Sequence, residues 1–156
     1  DAIKRDGVPY ELITKALPTI EGEVNNILAQ LVDFQIIFEM DGKNINNYIV
    51  YDDDNVWPLE MCSGMERFIS SLALRVGLIN VTNLPRSNFL AIDEGWGTMD
   101  SENINSVYML FQYIKTQFQF TLIVSHIDSM RDAVDTLLEI SKEKGESRIN
   151  FDQPSN

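Results

Sequence analysis

Residues 87–100 read SNFLAIDEGWGTMD, and this stretch decides how the rest of the chain is interpreted. Its apolar run, residues 89–92, is too short for an amphipathic helix and predicts a strand that is apolar and buried on both faces. The run ends in Asp93 and Glu94, at the position where open α/β sheets bind their ligands. One carboxylate can hold a hydrated Mg²⁺, and the other can orient or deprotonate a water molecule. The alternative is a solvated acidic pair that only opens a loop.

Composition limits the classes of protein to which the chain can belong. Its 156 residues are 44% apolar, enough for one domain or for one lobe of a larger domain. The formal net charge of −12 argues against nucleic-acid binding through the overall field of the chain. A single cysteine, Cys62, excludes an internal disulfide, and no apolar run reaches membrane-spanning length. The first residue is Asp1 rather than Met, which favours a fragment or a processed product.

The first part of the chain has a helical pattern. Between residues 10 and 31 the apolar positions alternate spacings of four and three, and they are Ile13, Leu17, Ile20, Val24, Ile27 and Leu31. This spacing fits the seam of a coiled coil, and it fits equally an amphipathic helix packed on a sheet. Pro18 is predicted to break or restart the helix, because proline has no N–H group and its ring clashes with the preceding turn.

The remaining pattern alternates strands and helices. Strands are predicted at residues 33–40, 47–51, 89–92 and 120–124, and a closing hairpin at 137–141 and 148–151. Helices are predicted at residues 66–80, from about 101 to 117, and near 129–133. Ser63 and Glu66 fit a capping box for the first of these helices, and Asp100 or Ser101 can cap the second. The predicted fold class is therefore α/β, with parallel buried strands flanked by helices and with β-hairpins.

Three polar pairs stand at the ends of these elements. Ser63-Gly64 opens a helix, whose free N–H groups and positive partial charge suit a phosphate. Asp93-Glu94 ends one strand, and Ser125-His126 ends the next, where a histidine can donate to a terminal phosphate. Each pair alone has a plain alternative, because Ser63 can be only an N-cap and His126 only a structural or surface residue. Together they predict parts of a phosphoryl-transfer site.

This order of motifs resembles a known family. The motifs are SGMERF at residues 63–68, the strand ending in Asp93-Glu94, GWGTMD at residues 95–100, and the strand ending in Ser125-His126. They are similar to the C-terminal lobe of an ABC-type ATPase head, and most similar to the SMC-like repair ATPases of the Rad-fifty/SbcC type. By this resemblance, residues 1–32 form the root of the returning arm of a long antiparallel coiled coil, and residues 33–156 form the C-terminal lobe.

The resemblance implies a role for each motif residue at the bound nucleotide. Asp93 would belong to the Mg²⁺ site, through water, and Glu94 would polarise the water that attacks ATP. His126 would contact the γ-phosphate as the switch histidine. Asp100 would lie in the loop that touches the opposite subunit.

The resemblance also implies that the signature residues act across a dimer interface. Ser63 and Gly64, with Met65 and Glu66, would contact the ATP that the other protomer holds. Met65 stands where the family usually has a second glycine, which predicts a side chain close to the phosphate.

The resemblance implies several partners, and one of them is indicated by a motif that the sequence does not contain. No G-x-x-x-x-G-K-[ST] loop is present, so a Walker A lobe must come from another segment or another chain, and this chain alone should not hydrolyse ATP. The other expected partners are a second protomer, an SbcD-type nuclease and DNA bound by the assembled dimer, with no membrane. The location would be intracellular, in the nucleus or in the cytoplasm and nucleoid. The alternative is an SMC-type ATP-gated clamp without a nuclease.

Overall fold

The computed structural model describes residues 8–42, 44–82, 85–93, 104–126, 131, 133–143 and 145–152. The helices are α1 (Val8–Leu28), α2 (Gly64–Val81) and α3 (Ile104–Gln117), with a 3-10 turn at Leu59–Met61 before α2. The strands are β1 (Gln35–Asp41), β2 (Asn44–Asp52), β3 (Asn55–Pro58), β4 (Phe89–Asp93), β5 (Phe120–Val124), β6 (Leu137–Glu143) and β7 (Glu146–Asp152). The α/β fold class is confirmed.

The predicted N-terminal helix is confirmed, but the predicted break at Pro18 is wrong. The helix runs through Pro18 from Val8 to Leu28. A proline costs one hydrogen bond of the helix and strains one turn. Here the adjacent Leu17 and, further along, Val24 are buried, and this packing holds the helix on both sides of the proline. Ile13 of the predicted seam is 47% exposed and Ile20 is partly buried, whereas the other four seam residues are buried.

The first sheet is antiparallel, in the order β1-β2-β3. The turn between β1 and β2 contains Gly42 at φ 57°, a conformation that glycine adopts without strain. Strand β3 was not predicted, since residues 52–58 show no alternating pattern and contain three acidic residues and a proline. It pairs with β2 through Val50↔Val56 and Ile49↔Trp57.

Helix α1 closes the outer edge of β1 with two side chains. The Asn25 amide donates to the Ile36 carbonyl at 2.9 Å and accepts from the Ile36 N–H at 2.8 Å. One turn earlier, Glu21 Oε2 accepts from the Phe38 N–H at 2.8 Å. These bonds replace the pairing that a neighbouring strand would supply to an edge strand.

The second sheet is the parallel pair β4·β5, joined by α3, as the sequence predicts. Its register runs from Phe89↔Phe120 to Asp93↔Val124, so both strands end at the same edge. The expected burial on both faces is wrong for this chain. Ile92 is buried against the core, but the large apolar side chains of the opposite face are 41% to 60% exposed, namely Phe89, Phe120, Leu122 and Val124. The described residues place helices against only one face of the pair.

One hydrophobic core joins the three helices to both of these sheets. Its members come from α1, α2, α3, β1, β2 and β4, and include Val24, Ile69, Val76, Ile92, Leu110 and Ile114. The helix pattern of residues 101–117 is confirmed over α3, where Phe111 and Ile114 are buried, while its predicted caps lie outside the described residues. The core contains Met65 near the start of α2 and Ile92 near the end of β4, so both ends are anchored in the same cluster.

The closing hairpin is confirmed as the antiparallel pair β6·β7, with Gly145 at φ 89° in its turn. The short helix predicted near residues 129–133 lies almost entirely outside the described residues. In the part of the chain that the structure covers, no helix is long and apolar enough to cross a membrane.

Candidate functional site

The first of two candidate sites is the start of α2, with Ser63, Gly64, Met65 and Glu66, which we name the signature half-site. Ser63 is the N-cap residue of the helix, with φ −61° and ψ 160°. The Ser63 hydroxyl oxygen accepts a hydrogen bond from the Glu66 N–H at 3.2 Å. In return, the Ser63 N–H donates to Glu66 Oε2 at 2.5 Å. These reciprocal bonds form the capping box that the sequence predicts. They fix both side chains at the point where the helix begins.

The capping box decides which donors remain at this helix end. Ser63 uses the Glu66 N–H, and the Arg67 N–H donates to the Ser63 carbonyl at 3.1 Å. Helix geometry leaves the Gly64 and Met65 N–H groups without an intrahelical acceptor, and no acceptor contacts them within the described part of the chain. With the Ser63 hydroxyl they make three donors at the positive end of a helix dipole, which suits an anion.

The Met65 side chain points into the protein. It is 5% exposed and belongs to the hydrophobic core with Ile69 and Leu72. The sequence predicted a side chain close to the phosphate at this position. Burial keeps the thioether in the core while the Met65 N–H stays at the helix end, so the residue acts as a core residue with a free backbone donor.

Tyr51, near the end of β2, is the partner of Glu66 that sequence reasoning missed. Its hydroxyl donates to Glu66 Oε1, and its ring meets the Phe34 ring edge to face, with centroids 5.6 Å apart. Burial would raise the pKa of the Glu66 carboxyl, but the hydrogen bonds from Ser63 and Tyr51 outweigh burial and hold that pKa below its usual value. Burial and the bond to Glu66 raise the pKa of the Tyr51 phenol. No local pattern signals this contact, because it spans 15 residues and depends on the path of β3.

Cys62 precedes the N-cap and has no sign of reactivity. Burial and the charge of Glu66 raise the pKa of its thiol, and its sulfur donates to the Pro58 carbonyl at 3.4 Å. Reactive cysteines instead have a lowered pKa beside positive charge. Cys62 therefore serves as a small packing residue between the 3-10 turn and α2.

The second candidate site is the edge where β4 and β5 end, with Asp93 and His126, which we name the strand-end half-site. Asp93 is the last residue of β4 and pairs in register with Val124, the last residue of β5. Ser125 and His126 follow Val124 directly, so the carboxylate and the imidazole stand at one edge of the parallel pair. Both Asp93 and His126 are exposed. This is the edge at which α/β sheets bind their ligands.

Two predicted site residues lie outside the described residues, namely Glu94 and Asp100. Their roles as the residue that polarises water and as the contact to the opposite subunit stay predictions. Glu94 follows Asp93 directly in the sequence, and Asp93 is the residue at which β4 ends.

The donor set at this edge fits a magnesium ion bound together with a nucleotide. Mg²⁺ keeps several waters and is held by one or two carboxylates plus substrate phosphates. Asp93 supplies one exposed carboxylate at the strand end. No group of three or more metal-binding side chains exists among the described residues, so a closed site made only of those side chains is not present.

The two half-sites belong to different elements and face different surroundings. Ser63 and Glu66 line a groove of about 640 Å³ with Tyr51 and the connection between α1 and β1. Asp93 and His126 do not line this groove. The groove therefore lies at the start of α2 and not at the ends of β4 and β5.

At the C-terminal end of α2, two hydrogen bonds connect α2 with α1 and with the segment before β4. No sequence pattern indicates them. The Asn80 amide donates to Glu23 Oε1 of α1 at 2.6 Å. The Arg86 guanidinium, in the segment before β4, donates to Asn80 Oδ1. These two hydrogen bonds connect α1 and α2 to the segment before β4, the strand that carries Asp93.

Comparison with known proteins finds much longer relatives, and this chain spans only about a tenth of their length. No protein-family model matches the chain. An uncharacterized protein of Acanthamoeba polyphaga mimivirus is 37% identical over 160 residues, which cover 92% of this chain and 12% of that protein. The C subunit of the nuclease SbcCD from Staphylococcus haemolyticus is 30% identical over 93 residues, which cover 57% of this chain and 9% of that protein.

Solved structures show the same fold at low sequence identity. An SMC ATPase chain from a study of ATP-driven dimerization and DNA-stimulated activation matches with a TM-score of 0.72 at 16% identity, covering 91% of this chain and 88% of that chain. The SMC head domain from Thermotoga maritima matches with a TM-score of 0.62 at 21% identity, covering 93% and 51%. An SMC head bound to the C-terminal winged-helix domain of ScpA matches with a TM-score of 0.69 at 19% identity, covering 92% and 46%.

The similarity in fold and the similarity in sequence both agree with the order of motifs in this chain. The fold is that of SMC ATPase heads, and the named sequence relative is a subunit of SbcCD. The capped signature helix and the paired strand ends lie where the motif order predicts them. The chain is therefore similar, in its fold and in the order of its motifs, to ATPase heads of the SMC-like, SbcC type.

Proposed function

We propose that this chain is the C-terminal half of an ATP-hydrolysing head whose ATP-driven dimerisation controls the processing of DNA double-strand-break ends. One observation carries the proposal. The Asp93–His126 edge and the Ser63 helix end are separate half-sites on one chain, and each has the chemistry of one side of a nucleotide. In a symmetric dimer, each half-site of one protomer meets the opposite half-site of the other.

The residues of the strand-end half-site serve the nucleotide that the same protomer holds. The Asp93 carboxylate would hold Mg²⁺ through water, and the ion would supply positive charge next to the phosphates. Glu94 orients the attacking water and accepts its proton. The His126 imidazole donates a hydrogen bond to the γ-phosphate.

The signature half-site serves the nucleotide of the partner protomer. The Ser63 hydroxyl and the Gly64 and Met65 N–H groups donate to the γ-phosphate, at the positive end of α2. Since α2 is anchored in the core, the donors are fixed before the nucleotide arrives. Fixed donors stabilise developing charge without reorganisation at the moment of reaction.

The open face of β4·β5 is the surface for the missing Walker A lobe. Phe89 and Phe120 stack there with ring centroids 5.6 Å apart, and Leu122 and Val124 extend the apolar patch toward the end that carries Asp93. Exposed apolar patches of this kind mark surfaces that a partner covers. A lobe docked on this face places its phosphate loop near the Asp93–His126 edge and completes the site.

Replacement of Glu94 tests the enzymatic proposal. With the Walker A lobe supplied, Glu94→Gln should retain ATP binding, lose hydrolysis and accumulate the dimer, because the amide cannot accept a proton. The measurements are nucleotide binding, phosphate release and mass by light scattering. Undiminished turnover in this variant would remove Glu94 from the proposed role.

The proposal also includes two partners, a nuclease and DNA. Similarity to the C subunit of SbcCD supports a metal-dependent nuclease of the SbcD type, docked near the root formed by residues 1–32. The net charge of −12 argues for DNA contacts through the assembled dimer and not through a broad face of this lobe. We expect the assembly to work inside the cell, in the nucleus or in the cytoplasm and nucleoid.

The second candidate is an ATP-gated DNA clamp of the SMC kind without a nuclease. The structural neighbours favour it, since they are SMC heads, and one is bound to a winged-helix domain of ScpA. Purification of the assembled protein with its native partners separates the two candidates. A nuclease subunit in that complex supports end processing, and a ScpA-like subunit without nuclease supports the clamp.

A further inference from the structure

We propose that Tyr51 is a positioning residue that holds the Glu66 carboxylate in its capping rotamer and so keeps the donors of α2 free for the partner's nucleotide. The inference rests on the function proposed above and assigns a residue outside the signature to the signature half-site. Tyr51 lies on β2, 12 positions before Ser63, and no motif includes it.

Both oxygens of the Glu66 carboxylate are occupied. Oε1 accepts from the Tyr51 hydroxyl, and Oε2 accepts from the Ser63 N–H at 2.5 Å. Hydrogen bonds to a charged group are about twice as strong as bonds between neutral groups. The carboxylate is therefore held on the β2 side of the helix end, turned back toward the N-cap.

A free glutamate at this position would compete with a phosphate. An acidic side chain in the first turn is attracted to the unpaired N–H groups and to the positive dipole of its own helix. The nearest such groups are the N–H groups of Gly64 and Met65, which are the donors for the trans phosphate. A released Glu66 would also add negative charge next to a triphosphate. Tyr51 prevents both effects by holding the carboxylate in place.

Tyr51 is itself held in position by Phe34. The two rings meet edge to face with an interplanar angle of 63°, and Phe34 is 5% exposed. This contact fixes the phenol in the direction of Glu66. A phenylalanine at position 51 would keep the ring contact and lose only the hydroxyl, so the hydrogen bond can be tested without removing the packing.

The groove beside the pair makes this arrangement accessible to a partner. Tyr51, Ser63 and Glu66 line the same groove of about 640 Å³. A group from the opposite protomer can therefore reach the helix end from solvent. The Tyr51–Glu66 bond lies in the wall of that groove.

Tyr48 provides a matched control on the same strand. Burial raises the pKa of the Tyr48 phenol, and so do the charge and the hydrogen bond of the Glu39 carboxylate. Glu39 lies on β1, and neither Glu39 nor Tyr48 lines the groove at the start of α2. Tyr48→Phe removes a tyrosine–carboxylate contact of the same kind without touching the signature half-site.

The test uses the head assembled with its Walker A lobe and measures ATP-dependent dimerisation and turnover. Tyr51→Phe should raise the ATP concentration at half-maximal dimerisation and the KM about tenfold, the size expected for one hydrogen bond to a charged group. Tyr48→Phe should match the wild type. In a Glu66→Gln background, which keeps the capping box but removes the charge, Tyr51→Phe should have no further effect.

A second readout does not depend on ATP. In the intact chain, the pKa of the Glu66 carboxyl, followed by carbon NMR, should rise in Tyr51→Phe and stay unchanged in Tyr48→Phe. Equal dimerisation by Tyr51→Phe and wild type would overturn the inference, as would an equal defect in the Glu66→Gln background. If the wild-type head fails to dimerise with ATP while the NMR shift appears, the proposed function fails and the Tyr51–Glu66 contact stands.

Discussion

Gly77 of α2 packs so closely on α1 that a Cβ atom at Gly77 would lie 3.1 Å from Cγ2 of Val24. The side chain and backbone of Val24 occupy the space that a side chain at position 77 would need. Helix α2 begins at the signature half-site, and α1 carries the seam that predicts the coiled-coil root. Their direct contact gives the lobe a rigid joint between the proposed nucleotide contact and the proposed arm.

Two glycine-to-alanine changes test this joint as a matched pair. Gly22 lies in α1, and a Cβ atom there would meet no other atom within 4 Å, so Gly22→Ala should raise the free energy of unfolding by about 0.5–1 kcal/mol. Gly77→Ala gains the same helix propensity but overpacks the joint, which should leave it at least about 1 kcal/mol less stable than Gly22→Ala. Urea unfolding of both variants measures the difference. Equal stabilisation at the two positions would contradict the close packing.

The edge cap on β1 predicts a large effect at one of two adjacent asparagines. Asn25→Ala leaves the Ile36 N–H and carbonyl without their partners and should lower the free energy of unfolding by about 1–3 kcal/mol. The neighbour Asn26 makes no such contact with β1 through its side chain, so Asn26→Ala should stay within about 0.5 kcal/mol of the wild type. Denaturant midpoints at equal slope report both values. Similar losses for the two variants would argue against a specific cap.

The lowered pKa of Glu66 predicts a pH-dependent contribution to stability. Hydrogen bonds to the charged carboxylate hold the folded-state pKa below the unfolded value, against the effect of burial. The contribution should therefore be fully present above the ordinary glutamate pKa and should be lost as the pH falls through the lower folded value. The difference in unfolding free energy between wild type and Glu66→Gln, measured from about pH 7 to about pH 3, should shrink toward acid. A constant difference would show that Glu66 titrates alike in both states.

The open face of β4·β5 predicts which surface substitution blocks assembly. Leu122 is 41% exposed on β5, and Ile37 is 44% exposed on β1, so aspartate at each position places a similar charge on a similar strand. Leu122→Asp should weaken binding of the Walker A lobe at least about tenfold, because an unpaired charge would be buried there. Ile37→Asp should bind normally. Calorimetric titration of the two lobes gives both dissociation constants, and equal affinities would place the interface elsewhere.

The features that the sequence predicted correctly are those set by neighbours in the chain. Ser63 and Glu66 are three residues apart, and their capping box is confirmed because both partners belong to one helical turn. The strand ends at Asp93 and before Ser125 follow from short apolar runs bounded by polar residues, and the parallel pairing follows from the helix between them.

The features that the sequence missed depend on contacts between distant segments. The hydrogen bond of Tyr51 to Glu66 exists only because β3 and the turn after it bring α2 back to β2. Pro18 suggested a break, but the burial of Leu17 and Val24 outweighs the local cost of a proline. Phe120 and Leu122 have the pattern of a strand covered on both faces, and pattern alone does not reveal which segment covers each face.

The central claim is that each ATP is hydrolysed between Glu94 of one protomer, which activates the water, and Ser63 of the other, which contacts the γ-phosphate. Mixing two inactive variants of the assembled head, Ser63→Arg and Glu94→Gln, tests it directly. In a mixed dimer, the normal Glu94 of one protomer faces the normal Ser63 of the other, so one site is intact. The mixture should recover about a quarter of wild-type turnover, since about half of the dimers are mixed and each has one working site. If both residues act on the same nucleotide within one protomer, the mixture stays as inactive as either variant alone.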